Sequence, residues 1–156
     1  MSRRVIRSTR SNPSPLLGAL SARRPLTRSQ ITELALPGYV ALDVLYQKKG
    51  TENVFMVLAQ YGVFIDVLCQ EDFLQAEQSR ATCLLRKLEE VHARAQHSGE
   101  WTLTEEELEA ARDALALYLD QLEVATLPGI VTAHGRMTEA FKALGFQSTN
   151  AYAMAA

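Results

Sequence analysis

Apolar side chains recur every three or four residues along most of the chain, which is the spacing of one face of an α-helix. The clearest stretch is residues 105–127, whose repeating apolar positions are Leu108, Ala111, Leu115, Tyr118, Leu122 and Ala125. Residues 73–96 show the same spacing at Leu74, Ala81, Leu84, Leu88, Val91 and Ala95. Each stretch predicts an amphipathic helix, and in the second one we expect Lys87 and Arg94 on the solvated side.

Residues 52–69 are apolar on more than one side. Their large apolar positions are Val54, Phe55, Val57, Leu58, Tyr61, Phe64, Ile65 and Leu68. A helix that is apolar nearly all round packs on several sides, so we predict a central helix with Leu58 and Phe64 deeply buried. The apolar run is shorter than a membrane span, and Gln60 and Asp66 interrupt it, so we expect no membrane helix.

Three threonines mark predicted helix starts. Thr27 is followed three residues later by Gln30, and Thr104 is followed by Glu107. This spacing is the capping box, in which each side chain accepts a hydrogen bond from the other residue's backbone amide. Thr51 is a further N-cap residue, so helices are predicted to begin just after each threonine.

The tripeptide Leu-Pro-Gly occurs twice, at residues 36–38 and 127–129. Proline removes an intrahelical hydrogen bond and clashes with the preceding turn. We therefore predict a kink or break inside a first helix over residues 28–47, and a break before a last helix over residues 130–144. Residues 48–50, Lys-Lys-Gly, predict the stop of the first helix, because cations suit a helix C-terminus and glycine commonly follows it.

Together these elements predict an all-α protein, an antiparallel bundle of four to five helices with short loops. The helical bundle domain is expected over residues 26–144. Residues 1–25 are rich in Ser, Pro and Arg and lack periodicity, which predicts a flexible basic arm. Residues 145–156 are uncharged and are predicted to be a frayed tail.

Charge is divided unevenly between the arm and the body. The first 28 residues hold seven arginines and neither acid nor lysine: Arg3, Arg4, Arg7, Arg10, Arg23, Arg24 and Arg28. The other 128 residues carry nine Lys/Arg and all 18 Asp/Glu, so the formal net charge of −2 conceals a first segment, residues 1–28, of +7 and a body of −9. Such asymmetry indicates contact with an anionic surface: nucleic acid, a membrane surface or the protein's own acidic body.

The composition of the arm limits how it would bind nucleic acid. Arginine grips phosphate with a planar fork. The arm has no aromatic residue on which bases stack, and no helix-turn-helix register is evident. Weak, non-specific phosphate contact is the form of nucleic-acid binding that this composition favours. A solvated tail and an organellar transit peptide stay open as alternatives.

Local catalytic motifs are absent from the sequence. It contains no Gly-x-Ser-x-Gly elbow, no P-loop and no Gly-x-Gly-x-x-Gly turn. If the chain turns near Glu71, Cys69 lies about 3 Å from that turn and Cys83 about 18 Å from it, at 1.5 Å per residue. Two thiolates that share a zinc ion must lie much closer together. We therefore expect no enzyme, no cofactor and no metal site.

Trp101 is the only tryptophan and lies in a predicted extended link before the fourth helix. It is either a hot spot of a protein interface or a ring that packs over the end of the bundle. The acidic residues that follow, Glu105 and Glu106, are interpreted as stabilising the positive end of the helix dipole.

Four short stretches carry a resemblance to known proteins. They are Ala-Arg-Arg-Pro-Leu-Thr at residues 22–27, Val-Ala-Leu-Asp at 40–43, Gly-Glu-Trp-Thr-Leu at 99–103 and Ala-Arg-Asp-Ala-Leu-Ala-Leu at 111–117. Together they resemble small helical proteins of proteobacterial genomes and mobile elements that are often labelled Fis-family transcriptional regulators. The resemblance covers about residues 22–140 and implies a mobile-element context.

These observations lead to two hypotheses on function. The first is a cytoplasmic, non-enzymatic accessory or inhibitory protein, encoded by a phage or another mobile element, that binds a macromolecular partner. Under that hypothesis we expect a protein partner and no membrane contact. The sequence does not determine the oligomeric state. The alternative is a nucleic-acid-binding transcriptional regulator that uses the Arg-rich arm.

Overall fold

The computed structural model describes residues 24–143, and every regular element in that range is a helix. The elements are α1 Arg28–Tyr46, α2 Glu52–Gln70, a 3₁₀ turn Gln75–Glu77, α3 Gln78–Ser98, α4 Glu105–Val124 and α5 Leu127–Ala143. The all-α bundle predicted from the sequence is confirmed. Of the predicted arm only residues 24–25 fall in the described range, and the predicted tail lies outside it.

The first four helices form an antiparallel bundle in which α1 contacts α2 and α4, and α3 also contacts α2 and α4. The fifth helix, α5, packs on the outer side of α2. We call the end where α1, α3 and α5 begin the arm end, and the end where α2 and α4 begin the tryptophan end. The sides formed by α1 with α4 and by α2 with α3 are opposite sides of this bundle.

The helix α2 is central, as its apolar pattern predicts. Leu58 is fully buried and Phe64 is 1% exposed. By length and composition alone α2 is apolar enough to cross a membrane, but 56% of its most apolar window is buried among the other helices. That burial is typical of the core helix of a soluble protein.

The predicted capping signals are confirmed. Thr27 and Gln30 form a capping box at α1, and Thr104 and Glu107 form one at α4. Thr51 accepts a hydrogen bond from the third backbone amide of α2. These local signals place the starts of α1, α2 and α4 at the expected residues.

Of the kink or break predicted at Pro37, the break is wrong, because α1 continues through this residue. The following residue, Gly38, lies so close to its neighbours that an added Cβ would be 3.0 Å from both Tyr61 and Leu115. The Tyr61 hydroxyl also donates a 2.5 Å hydrogen bond to the Leu34 carbonyl, one turn before the proline. Tight packing of α1 on α2 and α4 therefore offsets the single backbone hydrogen bond that proline removes.

The second Leu-Pro-Gly begins a helix instead of ending one. Helix α4 ends at Val124, and α5 begins at Leu127. Pro128 lies in the first helical turn, where its missing amide hydrogen is not needed. The Thr126 hydroxyl accepts a hydrogen bond from the Gly129 amide at 3.3 Å, which caps α5. The prediction that α5 starts at residue 130 is therefore wrong by one turn.

Two further boundaries differ from the sequence prediction. Helix α3 begins at Gln78 and not near residue 73, because Asp72 and Leu74 adopt left-handed backbone conformations and a 3₁₀ turn follows. After α1 it is Lys48, at φ 59°, that takes the left-handed conformation expected of a glycine. Gly50 is needed for space instead, because a Cβ there would overlap the Trp101 carbonyl oxygen.

Candidate functional site

The root of the arm lies at the arm end of the bundle. Pro25 pairs with Thr126 in an isolated antiparallel bridge, which fixes the chain beside the α4–α5 connection. Arg24 and Arg28 are exposed there. The other predicted contact residues of the arm lie outside the described residues: Arg3, Arg4, Arg7, Arg10 and Arg23.

Helix dipoles at the arm end are not compensated by neighbouring charges. Helix α1 begins with Arg28 and has no acid in its first turn. Helix α4 has no basic residue in its last turn, and Glu123 stands there instead. Both arrangements oppose the usual preference for acids at helix starts and bases at helix ends. Pro25 is bridged to Thr126, so Arg24 lies near a helix C-terminus that has no basic residue in its last turn.

Trp101 lies at the opposite end. Its backbone pairs with Gly50, and its half-buried ring lies 4.9 Å from the Phe55 ring and 5.9 Å from the His92 ring, centroid to centroid. The ring therefore packs over the end of the bundle. About 28 Å of helix, the 19 residues of α1 at 1.5 Å each, separates it from the root of the arm. The structure thus does not bring the predicted contact residues Arg24, Arg28 and Trp101 together.

An exposed apolar and aromatic stripe follows α1, and its tyrosines border the cleft between α1 and α4. Leu36 is 55% exposed and Val40 52% exposed, and Tyr46 is also exposed. We define the α1–α4 face as Leu36, Tyr39, Val40, Asp43 and Tyr46 of α1 with Arg112 of α4. On α1 these positions are three, four or seven residues apart, so they share one side of the helix.

A cleft of about 370 Å³ separates the two helices of this face. The Tyr46 hydroxyl donates a 2.8 Å hydrogen bond to Glu105, and this bond raises the pKa of Tyr46. Burial, and then the charge of Asp120, raises the pKa of Tyr39. Both phenols therefore keep their protons at neutral pH, and the Tyr46 phenol acts as a hydrogen-bond donor. Arg112 has no ion-pair partner within residues 24–143.

The surface continues from the α1–α4 face around the tryptophan end. A cleft lined by Tyr46, Lys48 and Glu105 adjoins a second cleft lined by Lys48, Gly50 and Trp101. Trp101 is therefore at the margin of the same surface as Tyr46. The predicted interface role for this residue stays a prediction, while its packing on Phe55 and His92 is seen directly.

A second apolar surface lies on the opposite side of the bundle. It is a groove of about 380 Å³ with α2 as its floor and α3 on one side, and the end of α5 closes its other side. We call it the α2–α3 groove. Its lining residues are Phe55, Met56, Ala59, Val63, Leu85, Leu88, Glu89, His92 and Phe141.

The sequence suggested that the polar side of α3 faces only solvent. In the structure this side contacts α4. Basic residues at seven-residue intervals each reach an acid of α4, which forms a ladder of ion pairs. The pairs are Arg80 with Asp113, Lys87 with Glu106 and Arg94 with Glu107. Heptad-spaced charges of this kind fix the register of two neighbouring helices.

The Arg94–Glu107 pair contains the most buried charged group of these three ion pairs. Glu107 is 4% exposed, and both of its oxygens accept hydrogen bonds from Arg94 at 2.8 Å. The Thr104 amide donates to the same carboxylate at 2.7 Å. Burial alone would raise the pKa of Glu107, but these hydrogen bonds outweigh burial and hold the pKa below its ordinary value. Sequence reasoning found Glu107 as a cap residue and missed its partner Arg94.

Groups that could support catalysis or metal binding are dispersed in the described part of the chain. Within residues 24–143 no three His, Cys, Asp or Glu side chains lie together as a metal site. Cys69 is buried, and the Gln121 amide contacts its sulfur at 3.2 Å, while Cys83 is half-buried. Burial raises the pKa of Cys69, which keeps it a thiol and a poor nucleophile.

Comparison of the chain with protein-family models, curated proteins and solved structures found no match. The resemblance to Fis-labelled proteins therefore stays a prediction. Residues 24–143 form a bundle of five α-helices with apolar surfaces on opposite sides, and the sequence before them is rich in arginine.

Proposed function

We propose that the protein is a non-enzymatic accessory or inhibitory factor that binds a protein partner in the cytoplasm. The observation that supports this most is the α1–α4 face, where Leu36 and Val40 are more than half exposed next to two tyrosines and an arginine. Tyr and Arg are enriched in binding hot spots, and the exposed aliphatic side chains on the same side of α1 add apolar area that a partner could bury.

The buried side of α1 does not require these residues. Ala35, Leu42 and Leu45 already fill the core from this helix. Exposed Leu36 and Val40 therefore add little to folding, whereas burying them under a partner would remove apolar surface from water. The phenol groups, and the guanidinium of Arg112, which has no ion-pair partner within residues 24–143, would orient such a partner.

A double substitution, Leu36→Ser with Val40→Ser, tests the proposal. Tagged protein carrying this change should lose a stoichiometric protein that the unchanged chain recovers from the source cells. Val131→Ser is the control, since Val131 is 63% exposed on α5 and lines a different cleft, between α5 and Leu34 of α1. Circular dichroism of all three proteins should be the same. If the unchanged chain, the double variant and the Val131→Ser variant all recover the same proteins, the α1–α4 face is not the partner site.

The alternative is a nucleic-acid-binding regulator that uses the arm. It is favoured by Arg24 and Arg28, which are exposed at the positive end of α1 and make no ion pair with any other residue of the range 24–143. A helix start of this kind attracts phosphate. Recovery of nucleic acid instead of a protein in the same purification would favour this alternative.

A further inference from the structure

We propose that the protein partner binds the α1–α4 face with a basic amphipathic helix. The apolar side of that helix would cover Leu36 and Val40, and its lysines or arginines would meet the carboxylates that surround these residues. This rests on the proposed function, because it names the chemistry of the partner at the same face.

Exposed carboxylates border the apolar part of the face on α1. Glu33 lies three positions before Leu36, and Asp43 lies three positions after Val40. Residues at this spacing share one side of a helix. The two acids therefore stand at either end of the exposed apolar pair.

Helix α4 supplies further carboxylates. Glu105 accepts the hydrogen bond from the Tyr46 hydroxyl. The charge of Asp120 raises the pKa of Tyr39, so this acid also lies close to the face. Glu109 is four positions after Glu105, on the same side of α4. We call the five exposed carboxylates the acidic rim: Glu33, Asp43, Glu105, Glu109 and Asp120.

The acids on the two sides of α4 differ in their counter-charges. Toward α3, the carboxylates of Glu106, Glu107 and Asp113 each pair with a base of that helix. Toward α1 no such base is supplied, because the only basic residue of α1 is Arg28 at its first position. No member of the acidic rim forms an ion pair within residues 24–143, and Arg112 is the only base that lines the cleft. Positive side chains of a partner would complement this surface.

The shape of the face suits a helix. From Leu36 to Tyr46 it extends over a rise of ten residues, which is about 15 Å or three turns of α1. The bundle already shows one helix packed in this manner, since α5 covers the outer side of α2. An amphipathic helix that lies on an apolar stripe is a common form of peptide recognition. Its apolar side chains supply most of the affinity, and its bases set the orientation and the rate of association, because exposed ion pairs are weak.

Fluorescence anisotropy of a labelled peptide, titrated with the full chain, tests the proposal. The probe is an amphipathic helix of about 18 residues made of Leu, Ala and Lys, long enough to become helical on binding. A second peptide carries Glu in place of Lys, and a third has the composition of the first in an order without an apolar side. We expect the first peptide to bind at least about tenfold more tightly than either of the others.

Variants of the protein locate the bound peptide. Leu36→Ser with Val40→Ser should weaken binding at least about tenfold, because apolar contact is lost. Asp43→Asn with Asp120→Asn should weaken it about three- to tenfold.

The matched control is Asp72→Asn with Glu89→Gln, which removes two exposed carboxylates away from the face. It should change the affinity by less than about twofold, since salt screens distant charges. An equal loss in the control, or unchanged binding after Leu36→Ser with Val40→Ser, would mean that the peptide is attracted by the net charge of the body, and this would overturn the proposal.

Light scattering of the unchanged chain tests a second copy as the occupant. A dimer that becomes a monomer after Leu36→Ser with Val40→Ser would show that the chain covers its own face, and the basic partner would be wrong.

Purification of the partner from the source cells separates this inference from the proposed function. Asp43→Asn with Asp120→Asn should release the partner at lower salt than the unchanged chain. Release at the same salt, with loss of the partner after Leu36→Ser with Val40→Ser, would retain the face and refute the basic helix. Recovery of the same proteins by every variant would refute the face itself.

Discussion

Replacing Arg94 with methionine should destabilise the protein strongly, because it removes the partner of a buried carboxylate. Methionine keeps an unbranched apolar stem and removes the guanidinium. Glu107, at 4% exposure, would lose both hydrogen bonds from Arg94 and retain those made at the start of α4. A buried charge that loses its partner keeps its desolvation cost without compensation.

The size of this effect can be bounded from two sides. Two hydrogen bonds to a charged group contribute about 1.5–3 kcal/mol each, and the 39% exposure of the Arg94 side chain reduces their sum through solvent screening. The upper bound is protonation of Glu107, which at pH 7 costs a carboxyl of ordinary pKa about 3.7 kcal/mol. We therefore expect Arg94→Met to lower the free energy of unfolding by about 2–4 kcal/mol at pH 7.

The loss should also depend on pH. In the unchanged protein the pKa of Glu107 is lowered by folding, so its contribution is present above the unfolded pKa near 4.3 and is lost as pH falls through the folded value. Without Arg94 this contribution is absent or reversed. The difference in stability between the two proteins should therefore be largest at neutral pH and shrink toward pH 3.

Urea denaturation followed by far-UV circular dichroism, repeated across pH, measures this difference. Arg86→Met on the same helix is the control, since Arg86 is exposed and should change stability by less than about 0.5 kcal/mol. In a Glu107→Gln background, which removes the charge, Arg94→Met should cost much less. A pH-independent loss, or an equal loss in that background, would refute the assignment of the effect to the ion pair.

Three further predictions concern the core, the tryptophan end and the arm. Phe64→Ala should lower the free energy of unfolding by about 3–5 kcal/mol in urea, and a loss below about 1 kcal/mol would contradict its burial at 1% exposure. Gly50→Ala should cost roughly 1–3 kcal/mol and shift the fluorescence of Trp101, because its Cβ would overlap a backbone carbonyl. Gly135→Ala, whose Cβ would meet nothing within 4 Å, should not destabilise. If the arm grips duplex DNA, the slope of log K against log salt should be about −0.9 per phosphate, and deletion of residues 1–23 should abolish binding without unfolding the bundle; equal binding before and after deletion would exclude the arm.

The sequence predicted the helices well because local chemistry determines them. Thr27 and Thr104 each form a complete capping box. The apolar spacing of α3 and α4 correctly predicts which of their residues are buried. The central place of α2 follows in the same way, since a helix with apolar residues on several sides needs several neighbours.

The errors arose where contacts distant in sequence decide the outcome. Pro37 is tolerated because Gly38 allows α1 to approach Tyr61 and Leu115, residues that are far away in the chain. Lys48 takes a backbone conformation typical of glycine, while Gly50 is required by Trp101 across a loop. No periodicity reports such contacts, so a local rule assigns the wrong reason to each residue.

The candidate site was less predictable than the fold for a related reason. The sequence directs attention to arginines. Leu36 and Val40 are exposed, but their residue types are the same as those of buried positions, so the sequence does not distinguish them. Only the packing of α1 shows which of its apolar residues face solvent. Likewise, the sequence predicts Arg94 as a surface charge, and only the structure shows that Glu107 of α4 lies beside it.

The charge distribution helps to rank the two proposed functions, protein binding and nucleic-acid binding. Five of the nine basic residues in the body form ion pairs within it, at Arg80, Lys87, Arg94, Arg136 and Lys142. The other four basic residues, Lys48, Lys49, Arg86 and Arg112, do not balance the acids, so the body keeps a net charge of −9 and is tethered to a first segment, residues 1–28, that holds seven arginines. A tethered anionic surface has a high effective concentration, so external nucleic acid must compete with the body for the arm. A protein that binds the uncharged part of the α1–α4 face meets no such competition, and for that reason we place the protein partner first.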